Sequence, residues 1–155
     1  MSMQLCIPSL LDKYNPIVQK IMVEIKSNVA QISKSAEYVF QYLVVPSNYE
    51  ELMPSRVRSF TSTENSATLD IEGIGKIELA ITEKTEFSQI IMLPQNKVPF
   101  KFDLQWHIEP TGDQGTKVFA QINADLNFMM KMMAEKLLKD FLNVQVEKLA
   151  KKLND

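Results

Sequence analysis

The side chain best suited to moving protons near neutral pH is His107, the only histidine in the sequence. It stands in Phe100-Lys-Phe-Asp-Leu-Gln-Trp-His-Ile108, where large apolar residues alternate with polar ones, so His107 falls on the face opposite Trp106 and Ile108. A general base must share a pocket with its substrate, and His107 is therefore read as a solvated surface histidine. Glu50 and Glu51 follow Tyr49. Adjacent residues on one helical turn do not share a face, so at most one of these carboxylates turns inward, and a solvated pair is the expectation. Tyr38, Tyr42 and Tyr49 carry phenols that suit either a ligand or amphipathic packing. No catalytic residue is assigned.

A metal centre needs three or four His, Cys or clustered carboxylate ligands, and one histidine with the single Cys6 does not supply them. No G-x-S-x-G elbow, phosphate-cradling glycine loop or dinucleotide fingerprint occurs. The sequence thus implies neither metal nor cofactor. The most unusual feature is Phe128-Met-Met-Lys-Met-Met133, which holds four of the nine methionines. Methionine is flexible and polarizable, which serves both ordinary cores and surfaces that repack around varied ligands.

The elements that must position these residues are legible as periodicities. Two glycine clusters, Gly73 with Gly75 and Gly112 with Gly115, each separate alternating runs and predict β-hairpins whose turns need positive φ. Around the first, Leu69, Ile71, Ile77, Leu79 and Ile81 share a face. Around the second, the Phe100–Ile108 strand is followed by Val118, Ala120, Ile122, Ala124 and Leu126 in phase, with small residues that leave room for another element. Residues 57–63 and 89–93 read as weaker strands. Residues 23–32 form a first strand whose apolar phase changes along its length, which predicts a bulge or strong twist. Ser35 is placed to cap a helix over 36–43, and Ser47 to cap a short one over 48–53 before Pro54. From Asn127 to Leu153 there is neither Gly nor Pro, and Leu126, Met130, Met133, Leu137, Phe141 and Val144 recur at three and four, predicting a long amphipathic helix. Its opposite side carries Lys136, Lys139, Asp140, Asn143 and Glu147. Strands in a run, with helices segregated from them, imply an antiparallel α+β domain of about seven strands.

Composition bounds the rest. The chain has 155 residues, 45% of them hydrophobic, which suits one globular domain. A net charge of -2 without like-charge runs argues against nucleic acid as a partner. No window is apolar for long enough to insert stably in a membrane. Pro8 and Asp12 interrupt the early apolar residues, so no signal peptide is read, and the lone Cys6 suits a reducing cytoplasmic location.

From Met22 onward the element order and four strings resemble the START-like superfamily, also called SRPBCC or polyketide cyclase/dehydrase-like, in an uncharacterised bacterial branch. The strings are Met22-Val-Glu-Ile-Lys-Ser-Asn28, Asn48-Tyr-Glu-Glu-Leu-Met-Pro54, Val98-Pro-Phe-Lys-Phe102 and Ala124-Asp-Leu-Asn-Phe-Met-Met-Lys-Met-Met133. The resemblance implies a helix-grip fold over 22–155, in which a curved sheet wraps the terminal helix around an apolar cavity. Residues 1–21 precede that unit, with Ile7, Leu10, Leu11, Tyr14, Ile17, Val18 and Ile21 spaced as an amphipathic helix interrupted by Pro16.

The function expected is binding or transport of a hydrophobic small molecule, such as a lipid, sterol, quinone or polyketide-like compound, between sheet and helix. The two periodicities aim Leu79, Ile81, Phe100, Phe102, Leu104, Trp106, Ala120, Ile122, Met130, Met133 and Leu137 at one interior, and these are the candidate cavity residues. One alternative is a cyclase or dehydratase using Tyr or Glu as acid or base. The other is a protein-interaction module of the chaperone-activator kind. A homodimer would use the N-terminal segment or the start of the terminal helix.

Overall fold

The computed structural model describes residues 19–155. The helix expected in residues 1–21 lies almost entirely outside them. Among the described residues eight strands form one curved antiparallel sheet with a long helix after it. The strands are β1 (Ile21–Lys26), β2 (Ala30–Ile32), β3 (Val57–Ser62), β4 (Ser66–Ile71), β5 (Gly75–Thr85), β6 (Gln89–Pro94), β7 (Phe102–Pro110) and β8 (Thr116–Leu126). Helix α1 (Ala36–Leu43) and a 3-10 helix (Pro46–Leu52) follow β2, and α2 (Phe128–Asn154) ends the chain. The sheet order is β1-β8-β7-β6-β5-β4-β3, with β2 also paired to β8. Among the described residues no helix is long and apolar enough to cross a membrane.

The strand expected over 23–32 is two strands, which accounts for eight rather than about seven. Val23, Ile25 and Ser27 point inward, then the phase shifts so that Ile32 is buried. At the break, Ser27 N donates to Ala120 O at 2.9 Å and Ser27 Oγ accepts from Ala120 N at 2.9 Å. A side chain thus completes the ladder where the backbone leaves it.

Ser35 caps α1 as expected, its Oγ accepting from Tyr38 N at 3.1 Å. Ser47 does not cap the next turn. The 3-10 helix starts at Pro46, whose ring presets a helical φ and whose missing N–H needs no cap. Gly73 and Gly75 hold φ values of +91° and +111°, as a tight hairpin requires. In the second turn the positive φ belongs to Gln114, and Gly115 is needed for space, since a Cβ there would meet Ile32 O at 3.1 Å and Thr111 Oγ1 at 3.0 Å.

Asn127 caps α2, its Oδ1 accepting from Met130 N at 2.8 Å. The helix lies along β1, β2 and β8. It is tied there by Asn143 Oδ1, which accepts from Asn28 N at 2.7 Å, and by Asn154, which accepts from Ser33 N at 2.6 Å and donates to Gln31 O at 3.1 Å. Asn143 therefore faces the sheet edge rather than solvent, while Lys136, Lys139, Asp140 and Glu147 are exposed as expected. The buried stripe of α2 is Leu138, Phe141, Leu142, Gln145, Val146, Leu149 and Leu153. This corrects the expected stripe: of its helical members only Phe141 is buried, Met130, Leu137 and Val144 are half-buried, and Met133 is 78% exposed.

Candidate functional site

The inner face of the sheet is built by the alternation read from the sequence. Leu69, Ile71, Ile77, Leu79, Leu104, Trp106, Ile122, Ala120 and Ala124 are all buried on it, because successive side chains of a strand point to opposite faces. Between this face and α2 the packing is close. Two small apolar voids remain, each of about 20 Å³. One lies under Trp106, between Tyr49, Leu104, Phe141 and Gln145. The other lies between Ile77, Phe100, Phe102, Ile122, Leu138 and Phe141. Leu69, Leu79, Leu104 and Phe141 line both, so single side chains divide them.

Two larger spaces open along the flank of α2. A cleft of about 290 Å³ runs between Gly73–Ile74, Pro99–Phe100 and the helix residues Met130, Met133, Ala134 and Leu137. A second, of about 150 Å³, is walled by Pro54, Arg56, Ile71, Ile74, Leu137, Phe141 and Val144, with Asp140 beside them. Phe100 and Ile74 belong to both the larger cleft and the second void, and Phe141 to both voids and the smaller cleft. The spaces share walls from the rim to Trp106.

Nine of the eleven candidate cavity residues line one of these four spaces. Leu79, Leu104 and Trp106 lie around the inner void, Phe100, Phe102 and Ile122 around the second, and Met130, Met133 and Leu137 on the larger cleft. Met133 does so as an exposed rim residue, not from the interior. Ile81 and Ala120 line none of the four. Ile81 is half-buried next to a register shift in β5, which turns it off the inner row. Ala120 is fully buried and paired across to Trp106.

Sequence reasoning missed Gln145 as a lining residue and left Tyr49, weighed as a possible ligand phenol, off the cavity list. Gln145 carried a signal, being the polar member of the row Leu138, Leu142, Gln145, Leu149. It is 4% exposed and Trp106 is 0% exposed, and neither Gln145 Oε1 nor Trp106 Nε1 has a hydrogen-bond partner among the described residues. Tyr49 stacks on Trp106 with ring centroids 6.2 Å apart, and its hydroxyl donates to Leu43 O. Burial holds that phenol far above its ordinary pKa.

The other residues weighed for chemistry lie elsewhere. Tyr42 OH donates to Glu51 Oε2 at 3.1 Å, and burial with that carboxylate pushes its pKa up to about 12. Glu51 also meets Lys152 at 3.3 Å, and Lys148 Nζ donates to Met53 O at 2.7 Å, so this group braces the 3-10 helix against α2. Glu50 and Tyr38 are exposed. His107 is on the outer face, as expected, but only half exposed. It stacks on Phe119 at 4.7 Å between centroids, and its Nε2 is 3.0 Å from Gln105 Oε1. Burial, then the nearby Lys26 ammonium, lower its pKa, with Glu24 acting in opposition. Among the described residues no cluster of three or more His, Cys, Asp or Glu side chains is placed to hold a metal ion.

A long helix gripped by an antiparallel sheet, with apolar spaces between them, is the START-like helix-grip architecture. In particular the chain is similar to a START superfamily protein from Mycobacterium smegmatis, with 18% identity and a TM-score of 0.65 over 85% of this chain and 96% of that one. It is similar to norcoclaurine synthase from Thalictrum flavum, with 10% identity and a TM-score of 0.71 over 88% and 96%. It is also similar to the protein XoxI from Bacillus cereus, with 13% identity and a TM-score of 0.64 over 88% and 96%. No family profile and no curated protein matches the sequence.

Proposed function

We propose that this protein binds a hydrophobic small molecule that enters by the methionine-rimmed cleft and reaches toward Trp106. The observation that carries the reading is the row of apolar spaces with shared walls, running from Met130 and Met133 past Phe100 and Phe141 to the inner void. Apolar lining with few polar groups is the usual character of a small-molecule site. The inner voids are too small for a ligand as they stand, so binding displaces Phe100 or Phe141, and the flexible methionines adapt to what enters. Norcoclaurine synthase, of the same fold, has been solved with dopamine and hydroxybenzaldehyde, which supports a small organic occupant. Among the described lining residues the only ionisable groups are the Tyr49 phenol, already bonded to Leu43 O, and Arg56 and Asp140 at the smaller cleft. That favours a carrier over the cyclase or dehydratase alternative.

The test is displacement of an apolar fluorescent dye by lipid-like or aromatic compounds. Ala134 is half-buried on the cleft, so Ala134→Trp fills the entrance from a position with room and should weaken dye binding about tenfold or more with the circular dichroism unchanged. A native protein that binds no dye, or a variant that binds it undiminished, would sink the reading.

Exposed Phe128, Met129, Met132 and Met133 favour a second reading, in which two copies of the chain meet through this rim. Sedimentation would then show a dimer that Met132→Lys dissociates.

A further inference from the structure

Two residues that line the inner void carry a buried donor and a buried acceptor that nothing among the described residues satisfies. Trp106 Nε1–H only donates and Gln145 Oε1 only accepts. Both atoms are buried, both residues line the same void, and neither atom has a partner among the described residues. Leaving such groups bare is costly, and buried polar atoms nearly always find partners. The remaining lining is apolar apart from Tyr49, whose hydroxyl is committed to Leu43 O.

We propose that Trp106 and Gln145 form the polar end of the site and select a neutral alcohol, an apolar molecule with one hydroxyl at its inner end. This inference rests on the carrier reading above. A hydroxyl accepts from Trp106 and donates to Gln145 with the same oxygen. A ketone, ether or halide only accepts and leaves Gln145 Oε1 bare. A carboxylate or ammonium would be a charge with no counter-charge on this lining, which burial disfavours strongly. The size agrees: about 20 Å³ takes one hydroxyl and no ring. The apolar remainder then lies past Leu79 and Phe141, in the second void and toward Phe100.

The sequence holds a single tryptophan, so the fluorescence of Trp106 reports from the site itself. The full chain is titrated with 1-octanol, 2-octanone and 1-chlorooctane, which share size and tail. Octanol should bind about tenfold or more tighter than chlorooctane, with the ketone between them, and only octanol and the ketone should shift the indole emission to the red. In Gln145→Leu, the octanol should fall to the affinity of the ketone while chlorooctane keeps its own. That substitution replaces an unpaired amide with an apolar side chain of similar volume, and is expected to fold. Should it not fold, the comparison of the three compounds on the unaltered chain decides alone.

Octanol and chlorooctane binding within about twofold of each other would overturn the alcohol inference and leave the carrier reading standing. In that case a resident water satisfies the pair. Failure of all three compounds to bind would overturn both.

Discussion

Phe141→Ala tests whether the spaces along α2 are one site or separate packing defects. The ring is buried and forms a wall of both inner voids and of the smaller cleft. Losing a buried phenylalanine forfeits about 2 to 3 kcal/mol of transfer free energy. If the residual void of roughly 100 Å³ stayed closed and dry, the cavity term of about 24 cal/mol per Å³ would add about 2 kcal/mol. Here the removed ring joins the voids to an open cleft of about 150 Å³, so solvent or ligand enters and much of that second term is relieved. The expected loss is about 3 kcal/mol, at the low end for Phe→Ala in a core. Urea denaturation followed by Trp106 fluorescence should show the midpoint falling by about 1.5 M at a slope of about 2 kcal/mol per M. The variant should bind an apolar dye more tightly than the parent does. A saturating apolar compound at about a hundred times its Kd should restore about 2.7 kcal/mol. A loss of 5 kcal/mol or so with no gain in dye binding would show sealed, unconnected voids, and the reasoning from shared walls would fail.

Three further substitutions probe features away from the site. His107 titrates below its ordinary value of 6.5 in the folded protein. The unfolded chain therefore binds the proton first, and the stability linked to His107 is present above pH 6.5 and is lost as pH falls from there through the folded pKa; chemical denaturation at pH 7.5 and 5.5 should show a smaller difference in His107→Gln than in the parent, and an equal difference would remove this account. Ligand affinity should be unchanged in that variant, because His107 lies on the outer face. Gly115→Ala should cost about 1 to 3 kcal/mol, since its Cβ would press on the Ile32 carbonyl, whereas Gly112→Ala, with nothing within 4 Å of its Cβ, should stay within about 0.5 kcal/mol; equal melting shifts for the two would contradict the close approach at Gly115.

What the sequence determined by itself is whatever depends on near neighbours along the chain. The alternation in Phe102–Ile108 and Val118–Leu126 set which side chains face inward, because strand geometry has a period of two whatever lies opposite. Ser35 marked one helix start, because a cap is made within three residues, and the absence of Gly and Pro after Asn127 marked the other. The phase change in residues 23–32 marked an irregularity, read as a bulge or strong twist in one strand, where the fold instead makes two strands that share one partner.

The tertiary structure alone decided which stripe of α2 packs. The helix carries two apolar rows at spacings of three and four, one through Met130, Met133, Leu137 and Val144 and the other through Leu138, Leu142, Val146 and Leu149, with Phe141 between them. Local periodicity ranks these equally. The first row became the cleft wall and the second the core, because burial of the helix begins only at Leu138 and the ties at Asn143 and Asn154 fix its rotation. The same long-range docking brings Gln145 against Trp106, residues on elements that no spacing relates, and leaves a small void between them. A void is what remains after every neighbour has been placed, so its size and its unpaired atoms exist only in the assembled fold.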